Sequence, residues 1–330
     1  MAISKRVLTY TIPESFRGMT VEAFLRSKGY SRSVIYHLRN TGTDLIPSDI
    51  PGLLLNSEKA WLKKELTPGD TLTCTILETE SSDNVIETEL PLDIVYEDED
   101  LMVINKPSDM PIHPSMGHYD DTLANALCWY THHVQGIDNY MNRVINRLDR
   151  NTSGLLISAK NMLSAAILGD MVRAHTIDRK YIAICKGNVN YVLGKLSPEN
   201  IFTSVKTGFD FAISAPIARK EESVIERVVD FDHGDPAITH VKLLDYNKEK
   251  DLSLIMLKLE TGRTHQIRVH MRHIGHPLIG DFLYNPDFEF IGRQALHSRS
   301  LSFMHPVTGE EMYFTAPLPE DMQKLFPDFR

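Results

Sequence analysis

The interpretation of this chain turns on residues 146–156, which read NRLDRNTSGLL. The stretch places one carboxylate, Asp149, between Arg147 and Arg150 and continues with Thr-Ser-Gly, a strong signal for a sharp turn. The apolar run that follows is typical of a buried strand. A carboxylate beside a buried strand loses water, and this costs several kcal/mol unless it is compensated. We therefore expect the two flanking arginines to keep Asp149 ionised, with a structural ion pair at a turn as the alternative.

A second dense motif occupies residues 259–281 and reads LETGRTHQIRVHMRHIGHPLIGD. It follows a mostly apolar run, residues 252–259, which predicts a largely buried strand. Thr264 suits a helix N-cap, and Gly275 followed by His-Pro is a stop signal, so we predict a short helix between them. Arg268 then lies in the first turns of that helix, at a geometrically fixed position.

Together the two stretches resemble the signature sequences of the RluA-type pseudouridine synthases. The first family signature, His-Arg-Leu-Asp-x-x-Thr-Ser-Gly-Leu, is matched by residues 146–155, with Asn146 where histidine is usual. The second, Thr-Gly-Arg-x-His-Gln-Ile-Arg-x-His, is matched in full by residues 261–270. Shorter segments match in the family's order, so that the resemblance covers residues 90 to 320; they are 104–107, 112–114, 179–181, 296–298, 303–306, 308–310 and 316–319.

The resemblance implies an activity, the isomerisation of uridine to pseudouridine within RNA, which requires no cofactor. Asp149 matches the family's catalytic aspartate, which acts as a nucleophile or as a base. Arg268 matches the arginine that pairs with this aspartate. Tyr181 matches the tyrosine that stacks on the target base, although tyrosines in strands usually serve packing. Arg147 matches the residue that fills the gap left by a flipped base, with a simple phosphate contact as the alternative.

Two other residues and two other classes of function stay open. Lys106 and His113 are predicted as RNA contacts, with a structural role as the equal alternative. One other class is an RNA-binding paralogue without catalysis, against which the presence of all three predicted catalytic residues speaks. The other is a metal-dependent hydrolase built on His270, His273 and His276. No carboxylate or cysteine partners are arranged near these histidines, so we predict no metal site.

Residues 1–80 look like a separate unit. Two short helices are predicted, the second capped by Ser31 and running from Arg32 to Asn40, and a small sheet follows. This order resembles an S4-like RNA-binding domain, and a helical decoration with surface charges is the alternative. The predicted RNA contacts on the two helices are Arg26, Lys28, Arg32 and Arg39. Residues 81–88 continue an acidic, polar stretch that we interpret as a linker with few contacts across it.

From residue 89 to residue 330, short strand-like runs alternate with a few helices. Neither a regular βαβ order nor a glycine-rich phosphate loop is present, which favours an α+β domain on a largely antiparallel mixed sheet. The fold implied by the resemblance agrees with this. The predicted strands are 94–96, 101–104, 155–157, 181–185, 237–244 and 252–259, and the predicted helices besides that of the second motif are 122–131 and 161–171.

Composition limits the partners and the compartment. The net charge of −9 argues against broad nonspecific binding to RNA, although residues 1–80 are nearly neutral, with 10 basic against 9 acidic residues. The absence of a signal peptide and of any long apolar run predicts a cytoplasmic protein without a membrane partner, and we expect a monomer. The three cysteines, Cys74, Cys128 and Cys185, lack the paired spacing of metal ligands, so we predict neither a zinc site nor a disulfide framework. By family analogy we expect large-subunit ribosomal RNA as the substrate, with transfer RNA as the alternative.

Overall fold

The computed structural model describes residues 4–82, 84–138, 140–190, 201–203 and 206–329. Its first elements are β1 (Lys5–Thr11), α1 (Val21–Ser27), α2 (Arg32–Asn40), β2 (Leu53–Leu55), β3 (Glu58–Lys59) and β4 (Thr71–Leu77), with one 3-10 turn at Glu14–Phe16. The strands form an antiparallel sheet in the order β1-β4-β2-β3, and one apolar core joins this sheet to both helices. Ser31 caps α2 by accepting a hydrogen bond from the backbone N–H of Val34, so the predicted second helix is confirmed.

The described residues that follow β4 form a larger domain, which contains one ten-stranded sheet. Its elements are β5 (Ile94–Glu97), β6 (Leu101–Lys106), α3 (Leu123–Trp129), β7 (Ser153–Ala159), α4 (Met162–Arg173), β8 (Asp178–Lys186), β9 (Ile201–Thr203), β10 (Phe211–Ser214), β11 (Ile217–Arg219), β12 (Arg227–Val229), β13 (Ile238–Asn247), β14 (Leu252–Leu259), α5 (Gln266–His273), β15 (Leu296–Met304), β16 (Glu311–Thr315) and α6 (Glu320–Gln323). A π-helical turn, Tyr130–Val134, extends α3.

The order of the large sheet is β5-β6-β7-β15-β8-β14-β13-β10-β9, with β16 paired to β15, and β11 and β12 form a separate hairpin. Among the strands that the structure describes, only β7 and β15 pair in parallel. The predicted α+β fold on a largely antiparallel mixed sheet is therefore confirmed. No helix in the described ranges combines the length and the apolar character needed to cross a membrane.

The central strand β7 is apolar along most of its length because both faces of the sheet are covered. Leu156 belongs to a core that includes residues of α3 and α5, whereas Leu155 and Ile157 belong to a second core that includes a residue of α4. All three side chains are 0% exposed. Tyr181 lies in the same core as Leu156, so β8 presents it on the sheet face against which α5 packs. The topology thus brings Tyr181 and helix α5, which carries Arg268, to the same face of the sheet.

The N-terminal unit is joined to the larger domain through Arg6, Glu78, Glu99, Asp100 and Arg143, a set that we call the junction. Arg6 donates from Nε and Nη2 to the two carboxylate oxygens of Asp100, at 3.0 and 2.8 Å. Arg143 Nη2 lies 2.6 Å from the buried carboxylate of Glu78. Helix α4 also contributes an apolar side chain to the N-terminal core. The prediction of few contacts across this boundary is wrong, because its acidic residues meet basic partners on the other side.

The described residues of the predicted linker 81–88, which are 81, 82 and 84–88, also lie against the larger domain. The backbone N–H of Ser82 donates to the carbonyl of Tyr140 at 3.0 Å, and the Ser82 hydroxyl accepts from the N–H of Asn142 at 3.1 Å. The carbonyl of Ile86 accepts a hydrogen bond from Asn125 Nδ2 at 2.6 Å. The acidic composition therefore marks a docked segment rather than a free one. The domain limits 1–80, 81–88 and 89–330 themselves stay predictions.

Candidate active site

The turn predicted after Asp149 depends on one glycine. The N–H of Thr152 donates to the carbonyl of Asp149 at 3.0 Å and closes the turn before β7. Gly154 has a φ of +106°, and a Cβ built there would lie 2.3 Å from the carbonyl oxygen of Ser298 on β15. Only glycine therefore permits the close parallel pairing of β7 with β15. This pairing holds Asp149 at the start of a rigid central strand.

Asn146, the departure from the family signature, has a structural role. Its side-chain carbonyl accepts a hydrogen bond from the backbone N–H of Ile157 at 2.8 Å, and the residue is buried. The side chain thereby ties the segment before Asp149 to the strand after it. An amide supplies the acceptor that this contact needs, so the departure leaves the position of Asp149 defined.

Asp149 faces a cavity of about 720 Å³ and is held there by Arg268. Arg268 Nη1 donates to Asp149 Oδ2 at 2.8 Å. The other edge of the same guanidinium donates from Nε and Nη2 to the two oxygens of Asp281, each at 2.7 Å. The Asp149 side chain remains 27% exposed, and within the described residues its Oδ1 has no hydrogen-bond donor. One carboxylate oxygen is thus oriented and the other is open to the cavity.

The flanking arginines do not provide this compensation. Arg150 Nε donates to Asp109 Oδ1 at 2.8 Å, and Arg147 is exposed at the cavity. The prediction that these two residues keep Asp149 ionised is wrong, because among the described residues neither arginine pairs with Asp149 and Arg150 pairs with Asp109 instead. The compensating charge comes instead from Arg268, which lies 119 positions further along the chain.

Burial and charge act in opposite directions on Arg268. Burial alone would lower the pKa of its guanidinium, but the Asp281 hydrogen bond and the charges of Asp149 and Asp281 outweigh it and raise the pKa. The rings of Tyr284 and Phe282 lie with their centroids 5.0 and 5.6 Å from the guanidinium carbon. Arg268 is therefore permanently charged and fixed in orientation, and both properties are needed to orient a carboxylate.

The contribution of Asp281 was not predicted from the sequence. Besides holding Arg268, its Oδ1 accepts the backbone N–H groups of Leu283 and Tyr284 at 3.1 and 3.2 Å. The preceding Gly280 has a φ of +69°, and a Cβ there would lie 2.1 Å from the carbonyl oxygen of Arg293. A glycine required by a tight turn and followed directly by an acid is the signal that could have located this residue.

His265 is a second residue that sequence analysis missed. Its Nε2 lies 3.8 Å from Asp149 Oδ2, and its Nδ1 lies 2.9 Å from the hydroxyl of Tyr284. Burial lowers the pKa of His265, with the charge of Asp149 opposing this, so the ring is neutral near pH 7. His265 also precedes α5 with a left-handed φ of +58°. The prediction of Thr264 as the N-cap is therefore wrong, because the helix begins one residue later, at Gln266.

Tyr181 lies at the inner end of the site. It is 4% exposed and sits in β8 opposite Leu257 of β14 and Ser298 of β15. Together with Asp149 and Arg268 it lines a small pocket that adjoins the main cavity. In the part of the chain that the structure describes, the Tyr181 hydroxyl has no hydrogen-bond partner. The structure thus brings the three predicted catalytic residues together around one space.

Lys106 does not face this space. Its side chain is 0% exposed, and Nζ donates to the carbonyls of Pro107, Met110 and Arg150 at 2.7, 3.0 and 2.9 Å. Burial lowers the pKa of Lys106 to about 7, with the charge of Asp149 opposing this. The prediction of an RNA contact is corrected here, because all three N–H groups of the ammonium are used within the protein. Lys106 ties two loops at the cavity together.

His113 and Arg147 do line the cavity, as the prediction of RNA contacts requires. Both residues are exposed. Partial desolvation of the ring within the cavity lowers the pKa of His113, and the nearby charge of Arg147 lowers it further. His113 is therefore neutral near pH 7 and offers hydrogen bonds or ring contact rather than charge, whereas Arg147 supplies the cation.

The four predicted contacts on the N-terminal helices are all exposed, and none of them lines the cavity of Asp149. Arg26 pairs with Glu22 at 2.7 Å, and the Lys28 ammonium lies 5.5 Å from the ring centroid of Phe24. The remaining two lie on α2 and are Arg32 and Arg39. They are available to a large ligand that extends beyond the cavity.

Two of the three histidines of the alternative metal site, His270 and His276, use ring nitrogens in hydrogen bonds within the protein. His270 Nε2 donates to the carbonyl of Ala215 at 2.8 Å, and its Nδ1 accepts from the Thr239 hydroxyl at 2.9 Å. His276 Nδ1 donates to the carbonyl of Lys186 at 2.7 Å. Because both ring nitrogens of His270 are used, this residue cannot act as a ligand in the observed arrangement.

Three comparisons with known proteins bear on this site. Residues 100–273 match the family described as RNA pseudouridylate synthase. The chain is 37% identical to the uncharacterized RNA pseudouridine synthase YjbO of Bacillus subtilis over 314 residues, which cover 93% of this chain and 98% of the relative. It is also 37% identical to the ribosomal large subunit pseudouridine synthase D of Zymomonas mobilis over 250 residues, covering 72% of this chain and 73% of the relative.

A solved structure agrees with these matches. Human RNA Pseudouridylate Synthase Domain Containing 1 superposes with a TM-score of 0.52 at 26% identity, covering 69% of this chain and 83% of its own. The match to the family spans Asp149, Tyr181 and Arg268, the three residues gathered at the cavity. The chain therefore belongs to the RNA pseudouridylate synthase family.

Proposed function

We propose that this protein converts uridines of large-subunit ribosomal RNA to pseudouridine, with Asp149 as the catalytic carboxylate. The observation that carries the proposal is the single guanidinium that spans Asp149 and the buried Asp281. It holds one oxygen of Asp149 and leaves the other towards the main cavity, which Arg147 lines and which adjoins the small pocket of Tyr181. Relatives named ribosomal large subunit pseudouridine synthase D support the choice of RNA.

The geometry suits a reaction in which one bond is exchanged for another. The bond from the sugar to N1 of uracil breaks, the base turns, and the sugar then bonds to C5, while the proton of C5 is lost and N1 gains one. Asp149 acts either as the nucleophile at the sugar carbon or as the base that starts an elimination. Arg268 stabilises the carboxylate as an anion in both routes. Tyr181 packs against the turning base, and its hydroxyl lies within the same space.

Access to the cavity requires the target nucleotide to leave its stack. Flipping costs about a few kcal/mol, and a side chain that occupies the vacated position recovers part of this cost. Arg147 suits this role, because it is exposed at the cavity one residue before Leu148 and Asp149. His113 lies beside it as a neutral hydrogen-bonding group.

The N-terminal unit supplies a second contact with RNA in this proposal. Arg32, Tyr36 and Arg39 are exposed and share one face of α2, spaced four and then three residues apart. The Arg39 guanidinium lies 5.2 Å from the ring centroid of Tyr36. A cation beside an exposed ring suits an RNA strand that offers both phosphates and bases. We also propose that the protein acts as a cytoplasmic monomer.

The test is to map pseudouridine in total RNA from cells with the protein, without it, and with the Asp149→Asn variant. We expect one or more large-subunit ribosomal uridines to lose the modification in the last two strains. Loss confined to transfer RNA would replace the proposed substrate by the alternative. If no site depends on the protein while it still binds RNA, the catalytically silent paralogue is the correct description.

A further inference from the structure

A second cavity adjoins the active-site cavity. It has a volume of about 490 Å³ and lies between the β11-β12 hairpin and the loop before α5. Gly262, Arg263 and Thr264 line both cavities. The two cavities therefore meet at this loop, and a strand that enters the active site is long enough to reach the second cavity as well.

The second cavity is locally basic. Arg219, Arg227 and Arg263 line it, with His233 at the edge, and Asp235 is the acidic residue of the lining. Asp235 Oδ2 lies 3.4 Å from Arg263 Nη1, so its charge is already offset. Three arginines against one aspartate stand out in a chain whose net charge is −9. Such a concentration of positive charge in a concave site attracts anions.

The hairpin places two of these arginines against each other. Arg219 and Arg227 are direct cross-strand partners in the antiparallel β11-β12 pair. Like charges in this position destabilise a sheet. Arg227 Nη1 donates to the carbonyls of Ile225 and Glu226, at 3.4 and 3.2 Å. The side chain of Arg219 has neither a hydrogen bond nor an ion pair with any residue that the structure describes. An anion between the two guanidinium groups would remove the repulsion.

The hairpin is also fixed relative to the catalytic residues. The backbone N–H of Arg227 donates to the hydroxyl of Tyr284 at 2.9 Å. The ring of Tyr284 in turn lies with its centroid 5.0 Å from the guanidinium carbon of Arg268. An anion held by the hairpin therefore has a defined position with respect to Arg268 and its partner Asp149.

We propose that this second cavity binds a backbone phosphate of the RNA strand next to the target uridine. The proposal rests on the proposed function and extends it to the path of the strand. The planar guanidinium of arginine can donate two parallel hydrogen bonds to two oxygens of one phosphate. Among the described residues that line it, His233 is the only one with an aromatic ring on which a base could stack. The cavity therefore selects the backbone and not the base, and contributes to affinity independently of sequence.

The test compares Arg219→Gln with Arg173→Gln, an arginine of α4 whose side chain is 73% exposed and does not line the cavity. Binding of each variant to an unmodified transcript of large-subunit ribosomal RNA is measured at several salt concentrations. We expect Arg219→Gln to weaken binding several-fold and to reduce the slope of log affinity against log salt by about 0.7 to 1. Arg173→Gln should keep the affinity and slope of the wild type.

A second measurement identifies the phosphate. Single phosphates around the target uridine are replaced by uncharged methylphosphonates, and binding by the wild type is compared with binding by Arg219→Gln. At one position the replacement should weaken the wild type and leave Arg219→Gln unchanged. Equal affinity and salt slope for Arg219→Gln and the wild type would overturn the phosphate site. A wild type that binds RNA but forms no pseudouridine would instead overturn the proposed function, so the two failures are distinguishable.

Discussion

Two arginines in different parts of this molecule make the same pattern of hydrogen bonds. In the active site, Arg268 donates from Nε and Nη2 to both oxygens of Asp281. At the junction, Arg6 donates from the same two nitrogens to both oxygens of Asp100. We call this contact of two arginine nitrogens with both oxygens of one carboxylate a fork. Asp281 is 0% exposed and Asp100 is 2% exposed, so each fork balances a buried negative charge whose desolvation would otherwise be costly. As structural units the two forks are equivalent.

The difference lies in the third contact that each arginine makes. Nη1 of Arg268 reaches Asp149, whose side chain is 27% exposed within a cavity beside Tyr181. Nη1 of Arg6 reaches Glu99, whose side chain is 76% exposed. A carboxylate held in a concave site can act on a bound molecule, whereas one on an open surface only adds a weak ion pair. The active site therefore differs from the structural contact in the surroundings of Asp149 and Glu99, and not in the fork that each arginine makes.

The sharpest test of this comparison removes the charge of each second carboxylate. Asp149→Asn should reduce pseudouridine formation to below about one hundredth of wild type, because the amide keeps the shape and loses the anion that the reaction uses. Glu99→Gln should leave the rate unchanged. Single-turnover assays on the mapped RNA give both rates, and RNA affinity should stay within a few fold for both variants. A rate for Asp149→Asn near that of Glu99→Gln would remove Asp149 from catalysis.

The next test changes the geometry of each fork and keeps its charge. Arg268→Lys should lower the rate roughly 30- to 100-fold, since an ammonium cannot bond Asp281 in two places and still orient Asp149. Arg6→Lys should keep the rate and instead lower the free energy of unfolding by about 1 kcal/mol. Denaturant unfolding combined with turnover assays separates the two outcomes. Near-normal turnover in folded Arg268→Lys would show that the pair with Asp149 is not required.

The local structure around both motifs was predictable from short patterns. The strand Leu252–Leu259 and the stop at Gly275 follow from apolar runs and a glycine that adopts a φ of +80°. The position of Arg268 near the start of a short helix follows from the same pattern. Such features depend on neighbours within a few residues, and these are visible in a sequence. The roles of Asp149 and Tyr181 came from the resemblance, and the structure adds their proximity.

What could not be predicted depends on which distant segments meet. Arg150 is adjacent to Asp149 in sequence yet bonds Asp109, whereas Arg268, 119 positions away from Asp149, makes the pair. Lys106 carried a charge that suggested RNA, but its position at the end of a buried strand turns the ammonium towards backbone carbonyls. Charge and residue type alone do not say whether a side chain points to solvent.

We expect a smaller effect on stability at acidic pH, and it should come from helix α5 of the active site rather than from the junction. Burial lowers the pKa of His270, in the same helix as Arg268, to about 4. The unfolded chain binds a proton below about pH 6.5 while the folded chain does not, so stability falls as pH falls through the window from about 6.5 to about 4. At pH 5 this residue alone should reduce the free energy of unfolding by about 2 kcal/mol.

Replacing His270 by Gln tests this assignment, because an amide can both donate to Ala215 and accept from Thr239. Denaturant unfolding at pH 7 and pH 5 should show that the free energy of unfolding falls less between these pH values for His270→Gln than for the wild type. His233→Gln, at a side chain that is 85% exposed, serves as the control and should lose as much as the wild type. If His270→Gln loses the same amount as the control, the acid sensitivity has another origin.

The smallest expected effect concerns RNA binding by the N-terminal unit, which the junction holds in position. The fork of Arg6 fixes the N-terminal unit, and with it the exposed face of α2 that carries Arg32 and Arg39. The double variant Arg32→Gln/Arg39→Gln should weaken binding to structured RNA roughly threefold and lower its salt slope, because two phosphate contacts are lost. Arg17→Gln, an exposed residue already paired with Glu14, is the matched control and should bind as the wild type does.

A short RNA that carries only the target uridine and its neighbours makes this last prediction specific. It can fill the cavity of Asp149 but cannot reach α2, because neither Arg32 nor Arg39 lines that cavity. The double variant should therefore bind the short RNA as well as the wild type does and show its loss only on structured RNA. A loss of equal size on both RNAs would mean that the substitutions act through the fold or the active site. No loss on either would remove α2 from the RNA-binding surface and leave the junction with a purely structural role.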